Sequence, residues 1–170
     1  MDSLNLILAQ GHRENDFTPA QKQALATEKN TNYLQLVNQM TPANILPGIT
    51  AFLTELTTAG YALSLASASK NAPLVLRKLG LSDYFTKAVD PASLKHGKPD
   101  PEIFRRGAEI LGLNPADCIG VEDAAAGVQS IKGAGETAIG IGDPTVLAAA
   151  DINFTDTTQL TLANIKAQLN

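Results

Sequence analysis

Tyr61-Ala62-Leu63-Ser64-Leu65-Ala66-Ser67-Ala68-Ser69-Lys70-Asn71 runs from a short apolar segment straight into hydroxyls, a cation and an amide. The apolar part, 61–67, reads as a strand, and Leu74 to Leu79 behind it reads as a helix closed by Gly80. The same alternation extends in both directions. Upstream, Ile49, Phe52, Leu53 and Leu56 share one face of a helix closed by Gly60. Downstream, Lys87–Asp90 is a brief strand, and Asp100-Pro101 opens a helix that runs to Gly112. Cys118–Val121 is the next strand, followed by a helix around Val128 and Ile131. Thr137–Ile141 and Ile152–Phe154 are two more strands, with helices expected after Asp143-Pro144 and near the C-terminus. Strands separated by helices imply right-handed crossovers and a parallel sheet covered on both faces, an α/β fold.

The first forty residues differ. Leu4, Ile7 and Leu8 lie on one helical face with Gly11 as a stop. Thr18-Pro19-Ala20-Gln21 has the form of a capping box with proline at the first helical position. Tyr33, Leu36, Val37 and Met40 then recur at three- and four-residue steps. Thr41-Pro42 and Leu46-Pro47-Gly48 break this pattern twice, which places a domain boundary there and divides the chain into 1–40 and 41–170. A doubly wound domain normally opens with a strand, and here two helices come first.

Composition narrows the function classes. The 170 residues are 44% apolar and 18% charged, with a formal charge of -4. That suits a soluble globular protein and argues against nucleic-acid or anionic-membrane binding. No stretch is long and apolar enough to span a bilayer, and no cationic secretory start is present, so a cytoplasmic location is expected. The single cysteine, Cys118, excludes an internal disulfide and a multi-cysteine metal site, and its apolar strand setting reads as inert packing.

In open α/β sheets, ligands bind beyond the carboxyl ends of the strands. After the first strand, Ser67-Ala68-Ser69-Lys70-Asn71 offers hydroxyls, a cation and the N–H groups of a starting helix, an inventory for phosphate. The plainer alternative is a serine-rich turn with Asn71 as helix cap. After the strand ending at Val121 come Glu122 and Asp123, adjacent carboxylates that repel unless a cation lies between them. Few, hard oxygen ligands suit Mg²⁺, although Asp123 could equally cap the next helix. Between these lies Lys98, in His96-Gly97-Lys98-Pro99-Asp100-Pro101, a loop whose prolines stiffen it enough to aim a side chain. A lone loop lysine otherwise faces solvent. His12 and His96 have no metal-ligand spacing. There is no Walker loop, no Gly-x-Gly-x-x-Gly and no Gly-x-Ser-x-Gly elbow. Phosphate, lysine and carboxylate-bound magnesium together suit phosphoryl transfer.

Leu65–Asn71, Lys98-Pro99-Asp100-Pro101-Glu102-Ile103-Phe104 and Gly120-Val121-Glu122-Asp123 resemble, in order and spacing, the second, third and fourth motifs of the haloacid dehalogenase superfamily. The Ser67–Asn71 string and Asp90-Pro91 resemble most the beta-phosphoglucomutases within it. The resemblance implies a Rossmann-like core with a parallel sheet, residues 41–170, and part of a helical cap, residues 1–40. It implies Mg²⁺-dependent interconversion of beta-glucose 1-phosphate and glucose 6-phosphate through a bisphosphate. The alternatives are a sugar-phosphate phosphatase of the same superfamily, or a non-catalytic phosphate-binding protein. By matching position, Ser67 and Ala68 would bind the transferring phosphoryl group and Lys98 would neutralise it. Ser69, Lys70 and Asn71 would contact the substrate, and Glu122 and Asp123 would hold Mg²⁺. The partner is then a phosphorylated sugar, and a monomer is expected.

One departure from the pattern stands out. The superfamily opens with a strand ending in Asp-x-Asp-Gly, which carries the nucleophile and the general acid/base, and no Asp-x-Asp occurs in this sequence. A cap arginine that grips the distal phosphate is also missing, and Ala124-Ala125 stand where relatives tend to be polar. The expectation is a truncated enzyme, with Met1 inside a cap segment, the first central strand missing, and no activity of the chain alone.

Overall fold

The computed structural model describes residues 2–169, which form two compact units that divide after Met40, 2–40 and 41–169. In the first, α1 spans Asp2–Gln10 and α2 spans Pro19–Gln39. The capping box forms as its residues suggest. Thr18 Oγ1 accepts from the Gln21 amide at 3.3 Å, and Gln21 Oε1 accepts from the Thr18 amide at 2.8 Å. Leu4, Leu8 and Val37 are buried, whereas Ile7, Tyr33 and Leu36 of the expected apolar faces are exposed within this unit.

The second unit holds α3 (Ile49–Thr58), β1 (Ser64–Leu65), α4 (Ala72–Leu79), β2 (Lys87–Ala88) and α5 (Glu102–Leu111). After these come β3 (Ile119–Glu122), α6 (Ala125–Ala134), β4 (Thr137–Ile141), β5 (Ile152–Phe154) and α7 (Leu162–Leu169). Helices α4 and α5 end where Gly80 and Gly112 take the left-handed conformation that their lack of a Cβ permits. No helix among the described residues is long and apolar enough to cross a membrane.

All pairing is parallel, but it falls into two sheets, β1-β2 and β3-β4-β5. Ser64 pairs with Lys87, Gly120 with Ala138, and Ile139 with Ile152. Side chains of β4 alternate between two cores, as strand geometry requires. Ala138 packs with Ile103, Phe104, Val128, Ile131 and Leu147 on the side of α5 and α6. Ile139 packs with Phe52, Ile152, Phe154, Leu160 and Ile165 on the side of α3 and α7. The three-stranded sheet is therefore covered on both faces at β4. At β3 the cover thins, and Ile119 and Val121 are 44% and 41% exposed.

Three expectations are corrected. The strand expected over 61–67 pairs only at Ser64–Leu65, because β1 has a ladder on one side alone. Similarly, the strand expected over 87–90 pairs only at Lys87–Ala88. No helix follows Asp143-Pro144. Residues 143–149 form turns in which Asp143 accepts from the amide and hydroxyl of Thr145, and Leu147 is driven into the core. Ten residues separate β4 from β5, fewer than a crossover helix ordinarily needs.

Candidate active site

The C-terminal ends of β1 and β3 both point toward the Lys98 side chain. Its ammonium pairs with Glu122 Oε1 and lies 3.5 Å from the Ala66 carbonyl oxygen, a long contact. It also sits 4.9 Å from the centre of the Phe104 ring, a cation–π distance. The Lys98 and Glu122 side chains are 24% and 11% exposed, so the pair is mostly withdrawn from water. Lys98 is thus aimed at a strand end and does not wave in solvent.

The loop that carries Lys98 is tied at several points. Glu102 Oε2 accepts from the amides of Lys95 at 2.8 Å and His96 at 3.0 Å. Those two amides hold the Glu102 carboxyl below its ordinary range. Asp100 Oδ1 accepts from the Glu102 amide at 2.9 Å, which caps the first turn of α5. The Asp100 carbonyl in turn accepts from the Ser130 hydroxyl of α6 at 2.6 Å.

Glu122 owes its place to a glycine. Gly127 lies in the first turn of α6, and a Cβ built there would meet the Glu122 carboxylate, 2.6 Å from Oε1 and closer to the other atoms. The carboxylate therefore rests on bare helix backbone, close to the N-terminal N–H groups that favour negative charge. Asp123 follows in an exposed bend. The helix begins at Ala125 with Ala124 as its cap and no capping side chain, so Asp123 does not cap α6. Two adjacent carboxylates and no third acidic, histidine or cysteine partner among the described residues make an open donor set. This fits Mg²⁺, which binds through one or two carboxylates and fills its octahedron with water and phosphate oxygens.

Beyond β1, Ser67 is half-buried and Ala68, Ser69 and Lys70 are exposed. The Ser67 hydroxyl accepts from the Ser69 amide and the Ser69 hydroxyl from the Asn71 amide, both at 3.2 Å, so the segment is a pair of serine turns. Asn71 occupies the cap position of α4, but its side chain makes no capping bond. Lys98 and Glu122 touch, and Lys98 reaches the residue before Ser67. For Ser67 and Asp123 the link to them is adjacency along the chain. Phe104, Gly127, Glu102 and Ser130 were not legible as site residues. For Gly127 the one signal was a glycine inside a helical pattern directly after the carboxylates.

Cys118 precedes β3 and gives its thiol to the Asn114 carbonyl at 3.4 Å. Burial, with Glu136 and Asp117 nearby, pushes that thiol up, in keeping with an inert residue. A cleft of about 840 Å³ lies elsewhere, against α3 and the start of α7. Its one carboxylate, Glu55, already caps α7 at the Leu162 amide, so the cleft offers nothing to a phosphate.

Four similarities bear on this arrangement. The profile of haloacid dehalogenase-like hydrolases matches residues 3–135. The beta-phosphoglucomutase of Bacillus subtilis is 44% identical over 161 residues, which cover 95% of this chain and 71% of that enzyme. The crystal structure of beta-phosphoglucomutase from Clostridium difficile superposes with a TM-score of 0.91 at 38% identity, covering 98% of this chain and 75% of that one. A more local likeness, 36% over 80 residues, links 47% of the chain to the fructose-1-phosphate phosphatase of Escherichia coli.

Proposed function

The chain belongs to the haloacid dehalogenase-like hydrolase family and, within it, to the beta-phosphoglucomutases, and from that premise we propose that its 41–170 unit is the phosphoryl-transfer core of a mutase acting on beta-glucose 1-phosphate. Residues 1–40 form part of its helical cap. The observation that carries this reading is the Lys98 ammonium lying against Glu122 at the end of β3 and the Ala66 carbonyl at the end of β1. It collects a cation, a carboxylate and the serine turns where this fold places its ligands.

The roles follow from chemistry. The Ser67 hydroxyl and the amides around Ala68 hold oxygens of the transferring phosphoryl group, and Lys98 offsets charge that builds on them. Ser69 and Lys70, which are exposed, and the partly buried Asn71 follow along the chain and bind the substrate's non-transferring end. Glu122 and Asp123 would hold Mg²⁺, which when bound supplies further neutralisation of the phosphoryl oxygens. The nucleophile and general acid/base of the family are aspartates of an Asp-x-Asp-Gly strand, and these 170 residues contain no such pair. The resemblance puts that strand between the ends at Ser67 and Glu122. The break between the β1-β2 and β3-β4-β5 sheets, with Ile119 and Val121 exposed beside it, supports that position.

The test joins the 170 residues to an Asp-x-Asp-Gly strand segment of the Bacillus subtilis relative. Turnover of beta-glucose 1-phosphate is then followed with Mg²⁺ and a glucose bisphosphate primer. Formation of glucose 6-phosphate supports the mutase. Release of inorganic phosphate without it favours the phosphatase reading, for which the Escherichia coli likeness is the motive. Binding of phosphate with neither product favours a non-catalytic protein.

A further inference from the structure

Ser130 has no place in the chemistry above, yet it is a wholly buried polar side chain at 0% exposure, in a helix whose buried face is otherwise apolar. Its hydroxyl donates to the Asp100 carbonyl at 2.6 Å, thirty residues earlier in the chain. A buried hydroxyl without a partner is costly, so this bond holds Asp100 firmly against α6. Asp100 is two residues from Lys98, and its amide also closes a turn onto the Gly97 carbonyl at 3.0 Å. On its far side, Pro101 packs against Gly133, 3.4 Å from where a Cβ would stand, and Arg105 reaches the Gly133 carbonyl at 2.9 Å. One helix therefore grips the segment 100–105 at three places. The same helix seats the Glu122 carboxylate on Gly127.

We propose that Ser130 is a positioning residue for Lys98: through the Asp100 carbonyl it locks the loop to α6, so that the Lys98 ammonium and the Glu122 carboxylate are registered from a single helix. The inference rests on the reading of Lys98 as the phosphoryl-neutralising cation. The physical argument is one of tethering. The Lys98 loop has two anchors, Glu102 at residues 95 and 96 and Ser130 at residue 100, and the lysine lies between them. Without the Ser130 bond, the contacts of Gly133 still hold Pro101 and Arg105, but none of them fixes the backbone carbonyl of Asp100, two residues from the lysine. The two anchors together fix the path of the backbone at Lys98, which a long, rotamer-rich side chain needs if its charge is to stay at one point.

The experiment labels the lysines of the 170-residue chain by reductive methylation and reads each site by peptide mass spectrometry. It does not depend on activity. In Ser130→Ala, Lys98 should be labelled roughly five-fold faster than in the parent, the factor that corresponds to loss of one ordinary buried hydrogen bond. Lys78, on α4 away from the loop, should be unchanged, and so should the unfolding midpoint to within a few degrees. Unchanged Lys98 labelling would overturn the proposal. So would a parallel rise at Lys98 and Lys78, which would make the hydroxyl a general stabiliser. If Ser130→Ala does not fold, Ser130→Cys, which keeps a similar volume and weakens the donor, is measured in its place with the same criteria. Failure of the underlying reading would show separately, as full turnover by Lys98→Ala in the joined enzyme with Ser130 intact.

Discussion

Replacing Gly127 with alanine should separate the fold from the site. A glycine inside a helix costs stability, and alanine would return about 0.5–1 kcal/mol to α6. The new methyl would stand 2.6 Å from Glu122 Oε1, so the carboxylate must turn away. The end of a glutamate can do this by changing rotamer, without moving backbone. What is lost is the pair with Lys98, whose members are 24% and 11% exposed. A charge-assisted bond in such a setting contributes roughly 1–3 kcal/mol, less whatever water recovers. The gain offsets only part of the loss. The net destabilisation should be at most about 2.5 kcal/mol, a fall in Tm of no more than roughly 10 °C for a protein of this size. The cation site fares worse, since Glu122 no longer stands beside Asp123. Mg²⁺ affinity should drop by at least about ten-fold, the range seen when groups that orient a metal ligand are removed. Thermal unfolding by circular dichroism and a Mg²⁺ titration read at the Glu122, Asp123 and Ala124 amides measure the two effects separately. Wild-type Mg²⁺ affinity in Gly127→Ala would refute the reasoning, because it would mean the carboxylate on that glycine is not a ligand.

Further expectations are as follows. Gly120→Ala should do the reverse of Gly127→Ala. A Cβ there meets three atoms of the fully buried Ile131 within 2.8 Å, so the variant should lose on the order of 1–3 kcal/mol in urea unfolding, and more if β3 shifts. In the joined enzyme, Lys98→Ala should lower kcat by on the order of 10²-fold while KM changes little, because its charge acts on the phosphoryl group in the transition state. A change in KM alone would reassign Lys98 to ground-state binding. Glu136, at the end of α6, is buried and pushed up to about 7 from an ordinary 4.5. Its folded state holds the proton more tightly than the unfolded state, so stability should fall as pH rises from 4.5 to 7 and level off above. Glu136→Gln should therefore stabilise by roughly 1 kcal/mol above pH 7, after allowance for water in a second cleft that Glu136 lines with Lys132, Thr137 and Asp151, and by nothing below pH 4.5. Equal Tm gains at pH 4 and pH 8 would contradict that.

Local chemistry made most of the elements legible in the sequence. The Thr18–Gln21 box, the glycine stops at Gly80 and Gly112, and the strand preceding Glu122 each depend on neighbours within a few residues, and each forms. The helix expected after Asp143-Pro144 failed for a non-local reason. Its cap-and-proline start is genuine, but β4 and β5 pair in parallel too soon for a helix to fit between them. The shortened β1 is similar, since a strand extends only as far as a neighbour pairs with it. At the candidate site, the meeting of Lys98 with Glu122 and with the end of β1 was legible because strand ends in this fold share one edge. Gly127, Phe104 and Ser130 were not. Ser130 meets Asp100 across 30 residues, and Phe104 and Gly127, though only six and five residues from Lys98 and Glu122, meet them through the way the loop and β3 turn into α5 and α6, which no local spacing encodes.

The central claim is that Ser67–Asn71, Lys98 and Glu122-Asp123 form one phosphate site completed by Mg²⁺. The most direct measurement is a titration of the isotope-labelled 170-residue chain with inorganic phosphate, with and without Mg²⁺, followed at every backbone amide by nuclear magnetic resonance. The account predicts saturable shifts confined to residues 67–71, the 95–100 loop and 122–125, with affinity that rises when Mg²⁺ is present. Shifts at only one of these segments, or the same weak response with and without Mg²⁺, would contradict it.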